Sequence, residues 1–327
     1  MSRTQEKINN QSNDVYNPAY AGIDVGKDKL DFYIYPLNIV LQVDNNKKGV
    51  SKLIRQCTQH DVKMVALEAT SKYHRLAHEM LYEAGINVAV INPFRSRKFA
   101  DSMGKLAKTD KIDAAVLARF AELMQPEPTI PPSQHNKDLR ELLNARRQIS
   151  HEIGDLKRKL HTCEHPLAAR QIRARIKISE RHKQMLEQEA HVLIQGEHAL
   201  KHKFDILMSV PGIGALTAAI LIADLPELGH ANCKQIASLA GVAPMSWDSG
   251  HSHGKRMIRG GRQAVRNALY MCALGSARRD GILGKFYRKL IKLGKHPKIA
   301  LTAVMRKFVI LANALITENR HWQPTKP

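Results

Sequence analysis

Residues 125–132, Q-P-E-P-T-I-P-P, most constrain what this chain can fold into. Four prolines in eight residues interrupt helix and strand alike, and the periodicity differs on either side of them. Before them, short β-branched and apolar runs alternate with segments of helical spacing. After them, long charged segments carry no strand signal. A chain divided in this way is expected to hold an α/β domain followed by mostly helical ones, and 327 residues suffice for two or three cores.

In the first part, residues 20–25 (Y-A-G-I-D-V), 30–35 and 39–43 read as three consecutive antiparallel strands, the first two joined at Gly26-Lys27-Asp28. Asn45-Asn46 are good capping residues ahead of Val50, Leu53, Ile54 and Cys57, whose spacing predicts a helix over 49–59. Residues 62–67 form a fourth strand ending at Glu68. Residues 71–85 form a second helix closed by Gly85, and 86–91 a fifth strand stopped by Asn92-Pro93. The helix opened by A-K-T-D-K-I-D completes the series. The order implies a mixed sheet with helices packed on it.

Carboxylates recur at the ends of these elements. Asp24 lies inside the first strand and Glu68 at the end of the fourth; Asp110 and Asp113, three apart, share one face of the closing helix. Each has an ordinary explanation alone. The helical pair complements the dipole of a helix start, Asp24 accepts from the turn after it, and Glu68 pairs with Lys63 or Lys72. If the first and fourth strands are neighbours, however, all four converge at one end of the sheet. Carboxylates that close repel unless a proton or cation lies between them, and four such oxygen donors suit one or two Mg²⁺ (or Mn²⁺) ions in phosphoryl transfer.

Beyond the prolines, residues 136–164 and 167–204 read as two long helices broken at His165-Pro166. Leu139, Leu142, Leu143, Ile149, Ile153, Leu156 and Leu160 form a narrow stripe that fits an antiparallel hairpin or an intermolecular coiled coil. Residues 209–224, S-V-P-G-I-G-A-L-T-A-A-I-L-I-A-D, set Gly212 and Gly214 before an apolar helix. Backbone amides can approach a phosphate there, as in a helix-hairpin-helix motif, or the glycines simply make a tight turn between packed helices. Residues 241–271 carry the turn Asp248-Ser249-Gly250, followed by His251, His253, Lys255, Arg256, Arg259, Arg262 and Arg266. Serine in such a turn is ordinarily turn chemistry. Beside cations that can hold a phosphate it becomes a candidate nucleophile, with Ser246 and Ser252 as alternatives nearby. Residues 284–320 read as basic helices with Leu290, Leu293, Val304, Phe308 and Leu311 on their apolar faces.

The formal charge of +21 points to a polyanion partner, nucleic acid ahead of anionic membrane. From His251 onward, seventeen Lys and Arg face only Asp280 and Glu318, so +15 of the total lies there. Cys57, Cys163, Cys233 and Cys272 form no C-x-x-C pair and read as buried thiols of a reducing cytosol. The polar residues 1–18 read as a disordered tail without a signal peptide. No apolar run is expected to span a membrane, 216–225 being too short, so the chain reads as soluble, cytoplasmic and nucleoid-associated.

Taken in order, G-I-D-V-G-K, L-E-A-T, K-T-D-x-x-D-A, P-G-I-G and the S-G…I-x-G-G-R…R-x-A-L-Y-M block resemble one family. It is the DEDD transposases of the Piv/MooV-like insertion sequences, numbered one-hundred-and-ten by convention and known as bridge-RNA-guided recombinases. The G-G-R variant is similar to the subgroup numbered eleven-eleven. The resemblance implies a RuvC-like, ribonuclease-H-type domain over 19–125, with Asp24, Glu68, Asp110 and Asp113 as metal ligands. A linker over 126–133, coiled-coil helices over 134–204 and a helical transposase domain over 205–327 follow, with Ser249 as nucleophile. It further implies DNA as substrate, a non-coding guide RNA, and a homodimer or homotetramer whose active site joins two protomers. The rivals are a RuvC-like nuclease or junction resolvase that uses water, and a non-catalytic nucleic-acid-binding scaffold.

Overall fold

The apolar, β-branched runs form the strands Ala19–Val25 (β1), Lys29–Tyr35 (β2) and Ile39–Asp44 (β3), in a computed structural model that describes residues 18–104, 110–246, 248–249, 252–254 and 256–324, without the side chains of 110–112, 249, 252 and 253. The helix Lys47–Gln59 (α1) follows. Its Asn46 side chain accepts from the Gly49 amide at 2.9 Å, the capping role expected of that asparagine. Next come Val62–Glu68 (β4), Arg75–Glu83 (α2), Val88–Ile91 (β5), Pro93–Ser102 (α3) and Asp110–Met124 (α4). The sheet order is β3-β2-β1-β4-β5, antiparallel from β3 to β1 and parallel from β1 to β5. The first and fourth strands are therefore neighbours.

The two faces of the sheet are covered differently. Ile23, Val25, Leu30, Phe32, Ile34, Val65 and Leu67 bury themselves with Val50, Leu53 and Cys57 of α1 and Ala77 and Leu81 of α2. Burial of each large side chain contributes roughly 1.5–3 kcal/mol. On the opposite face Ala66, Ala89 and Ile91 pack with Leu117, Phe120 and Ala121 of α4, and Phe99 of α3 meets Phe120 edge-on at 5.1 Å. Helix α4 reaches the sheet because of Gly22. A Cβ there would lie 2.0 Å from the Ala114 carbonyl oxygen and 2.4 Å from the Ala118 nitrogen, so only glycine admits the helix backbone this close. The glycine of G-I-D thereby brings Asp113, at the start of α4, toward Asp24 on β1.

Three sequence expectations change here. The second helix begins at Arg75 rather than at residue 71, because Ser71 takes φ +46°, outside the helical region. Asn92-Pro93 not only ends β5 but starts α3: Asn92 accepts from the Phe94 amide and Pro93 takes the first helical position, where its missing N–H costs nothing. The proline-rich segment is not a bare spacer. Thr129 donates its amide to Val88 O at 2.7 Å, its hydroxyl accepts from Val90 N at 3.1 Å, and its carbonyl lies 2.6 Å from His78 Nε2, so the segment covers the β5 edge.

Compact units span Met1–Pro131 and Pro132–Pro327. In the second, Gln134–His161 (α5) and Pro166–Gly196 (α6) pair within the chain, burying Leu139, Leu143, Ile153 and Leu156 against Ala169, Ile176, Ala190 and Ile194, with Arg146–Glu187 and Lys157–Glu180 bridging them. His198–Met208 (α7), Ala215–Asp224 (α8), Cys233–Leu239 (α9), Gln263–Ala277 (α10), Ile282–Lys292 (α11) and Pro297–Thr317 (α12) follow. Leu139, Leu143, Ala190 and Ile194 join the same core as α7 to α12. Asp224, whose side chain is 7% exposed, accepts from Arg140 at 3.0 Å and Arg147 at 3.1 Å, fastening α5 to α8.

Helix α12 corrects the expectation about apolar runs, since its 21 residues are long and apolar enough to cross a membrane. Its packing explains the composition. Ala300, Leu301, Val304, Met305, Phe308, Val309, Ala312 and Leu315 are buried in the core of the second unit.

Candidate functional site

The C-terminal ends of β1 and β4 place their carboxylates side by side. Parallel pairing matches Ile23 with Leu67, one residue before Asp24 and Glu68. Both lie on the face that carries α4, as Gly22 and Ala66 do two residues earlier. Asp113 completes the group from the first turn of α4. These three line one cavity of about 510 Å³, together with Lys29, Asp31, Gln42, Thr70, Ser96 and Arg97. Ser96, buried on α3, donates its hydroxyl to Glu68 Oε2 at 2.7 Å and fixes that carboxylate, so neither Lys63 nor Lys72 is needed as its partner. Lys63 instead pairs with Asp61. Lys29 at the rim donates to Asp44 at 2.6 Å; this bond holds the lysine above, and the carboxylate below, their ordinary ranges.

Oxygen donors around one cavity are the ligand chemistry of a hard divalent cation, and in kind they fit one. Among the described residues, no three His, Cys, Asp or Glu side chains by themselves form a group that could hold an ion. Asp110 opens α4 one helical turn before Asp113, but its side chain lies outside the described residues.

Asp31, Gln42, Ser96 and Arg97 were not among the sequence candidates. For Asp31 a signal existed: in a hairpin turning at residues 26–29, Asp24 and Asp31 stand equally far from the turn, hence opposite one another. Ser96 was hidden by reading Asn92-Pro93 only as a stop.

Ser249 stands on a ribbon of two short ladders. Pro244–Met245 (β6) pairs with Met257–Ile258 (β9), and beyond it Asp248–Ser249 (β7) pairs with Ser252–His253 (β8). The backbone sets Ser249 directly across from Ser252, so the two alternative hydroxyl residues flank the same ribbon tip. Gly250, His251 and Lys255 lie outside the described residues, and Ser246 is exposed. At the ribbon base, chain segments cross at glycines. A Cβ on Gly261, at φ +70°, would lie 2.2 Å from the Gly241 nitrogen.

The arginines divide into two groups. Arg256 and Arg259 are exposed on either side of β9. Arg262 makes a two-pronged ion pair with Glu227, and Arg266 donates to Gly260 O at 2.6 Å and to Gln263, so these two tie down the ribbon base. Burial pushes the Glu227 carboxyl up, but the Arg262 bond and charge outweigh it and hold the group below the usual range. Gly212, at φ +103°, packs against Ser276 and Phe308, whereas Gly214 is an exposed N-cap of α8 with open space where a Cβ would be. The four cysteines are thiols. Cys57 and Cys272 are buried as expected, burial pushing Cys57 up to about 12, while Cys163 is half-buried and Cys233 exposed.

Comparison with known proteins places both regions. A family model described as "Transposase", the DEDD domain of IS110-type elements, matches residues 21–163, which include all four sequence-predicted carboxylates. A second, "Transposase IS116/IS110/IS902 family", matches residues 204–288, which include Ser249 and the arginine block. The chain is similar to the pilin gene-inverting proteins of Moraxella bovis and Moraxella lacunata, each 29% identical over 316 residues that span 92% of this chain and 96% of the relative. It is also similar to an uncharacterized 43.6 kDa protein of insertion element IS110 from Streptomyces coelicolor, 27% identical over 124 residues, 37% of this chain and 31% of the relative. With the carboxylate cavity in one matched region and the serine ribbon in the other, the chain belongs to the IS116/IS110/IS902 family of transposases and is an enzyme of the transposase and recombinase class.

Proposed function

We propose that this transposase cuts and rejoins DNA through a covalent bond to Ser249, with Asp24, Glu68, Asp110 and Asp113 holding Mg²⁺ (or Mn²⁺) in a RuvC-like, ribonuclease-H-type site. The meeting of Asp24, Glu68 and Asp113 in one cavity, from elements far apart in sequence, carries the reading. A divalent cation bound there supplies positive charge that steadies the phosphate as negative charge builds on it. Ser249 Oγ attacks the phosphorus, the bond to the departing sugar oxygen breaks, and the serine proton ends on that oxygen as a free hydroxyl. The DNA end is then a phosphodiester of Ser249. A hydroxyl from another strand reverses the step, so strands exchange without loss of a high-energy bond.

The basic stretch from His251 to the end of the chain binds backbone phosphates, with Lys255, Arg256 and Arg259 following the serine most closely in sequence; Arg262 and Arg266 hold the ribbon in shape for them. Gly212 and Gly214 shape the turn before α8, and the start of that helix serves as a phosphate contact. A structured non-coding RNA selects the sites, and the protein works as a homodimer or homotetramer in the cytoplasm, on the nucleoid. Exchange at two opposed sites yields inversion, the outcome for which the Moraxella relatives are named.

The test uses element-end DNA with Mg²⁺, followed by denaturing electrophoresis. Wild type is expected to leave a protein–DNA adduct that Ser249→Ala abolishes and Ser252→Ala retains. Cleavage that persists in Ser249→Ala, with no adduct in wild type, makes water the nucleophile and the protein a RuvC-like nuclease. RNA is tested by sequencing whatever co-purifies, then by ribonuclease treatment, which is expected to abolish site choice.

A further inference from the structure

We propose that Asp31, oriented by Gln42, is a fifth carboxylate of the cation site in the first unit; this rests on the metal reading above. Strand register sets Asp31 directly across from Asp24, where the Cβ atoms of opposed residues lie about 5 Å apart. Both line the cavity that also receives Glu68 and Asp113. Like charges opposed on a ladder repel, and a carboxylate only 8% exposed is costly to bury unless positive charge compensates it.

Of the two cations that line the cavity, Arg97 pairs with Asp101. Gln42 Nε2 donates to Asp31 Oδ1 at 2.9 Å, but an amide brings a dipole and no net charge. Lys29, two residues away on the same side of β2, bonds to Asp44 instead. Among the described residues no Lys, Arg or His makes an ion pair with Asp31. A purely structural partner for Gln42 would be served by asparagine, which accepts the same hydrogen bond without opposing Asp24. An aspartate at this place suits a cation: Gln42 fixes the plane of the carboxylate through one oxygen and leaves the second for the ion.

The experiment titrates the full-length protein with Mn²⁺ and follows the free ion by electron paramagnetic resonance. Asp31→Asn keeps the shape and the Gln42 bond. It is expected to weaken Mn²⁺ binding tenfold or more without lowering the metal-free melting temperature, and Glu68→Gln serves as the control. Should Asp31→Asn fail to fold, Gln42→Leu, on an exposed edge position, is expected to weaken binding threefold or more. Binding within twofold of wild type in Asp31→Asn, or in Gln42→Leu when that variant stands in, alongside a tenfold loss in Glu68→Gln, overturns the role of Asp31 alone. Unchanged binding in both Asp31→Asn and Glu68→Gln, or none in wild type, overturns the metal reading and this inference with it.

Discussion

The carboxylate cavity and the serine ribbon are positioned by very different amounts of structure. Asp24 and Glu68 sit on two central, parallel-paired strands with a packed core on either face, and Asp113 comes down on a helix that Gly22 admits. The register of such strands cannot slip by one residue without turning every apolar side chain to the wrong face. Ser249 instead belongs to a two-residue ladder above another of the same length, where Pro244, Met245, Ser246, Asp248, Arg256 and Met257 are all exposed. Among the described residues of the ribbon, no buried face holds that register. The glycine crossing at Gly241 and Gly261 and the ties of Arg262 and Arg266 hold it at its base. One half of the proposed chemistry is thus anchored by a core, the other by local backbone geometry.

The comparison breaks most visibly at its two glycines. Gly22→Val is expected to cost about 3 kcal/mol or more, because the obstructing atoms are the backbone of α4 and cannot turn aside. Chemical denaturation should show the loss, and Mn²⁺ binding should go with it. Gly261→Ala also meets backbone, Gly241 N at 2.2 Å and Gly241 Cα at 2.3 Å, at a left-handed φ, so it is expected to cost about 3 kcal/mol as well, but to displace the ribbon base alone, abolishing the protein–DNA adduct while Mn²⁺ binding persists. If Gly261→Ala instead unfolds the chain as Gly22→Val does, the ribbon base is part of the core and the contrast fails.

Smaller effects sharpen the same contrast. Ser96→Ala removes the hydroxyl that fixes Glu68 and should cost about 1 kcal/mol with a several-fold loss of Mn²⁺ affinity, measured by melting and titration together. The smallest concerns pH at the ribbon base. The carboxyl of Glu227 is held below its ordinary 4.5, so it releases its proton more readily folded than unfolded. Its contribution to stability is therefore full above that ordinary value and fades as pH falls through the lower folded one. Glu227→Gln should flatten that acid limb of stability, and an unchanged limb would show that Arg262 does not hold the base.

Much of the first unit was legible because its signals are local. Short β-branched and apolar runs marked β1 to β3, Asn46 marked the start of α1, and the order of Asp24, Glu68, Asp110 and Asp113 along successive elements pointed to convergence. Asp31 escaped notice because the face a strand residue occupies has meaning only once a helix covers that face. Helix α3 escaped because Asn-Pro is the signature of a stop and of a start alike. The apolar α12 was passed over because composition says only that such a helix must be hidden from water. The ion pair of Arg262 was not legible because nothing in its neighbourhood of the chain reveals Glu227, thirty-five residues before it.

By itself the sequence determined the elements, their caps and the charge of the segment that follows His251, all of which depend on residues a few positions apart. Only the tertiary structure decided that β1 lies beside β4, that Gly22 lets α4 down to the sheet, and that Asp31 shares the cavity with Asp24, Glu68 and Asp113. Those facts rest on contacts between residues as far apart as Gly22 and Ala118, where packing and backbone pairing select the neighbours and local preference does not.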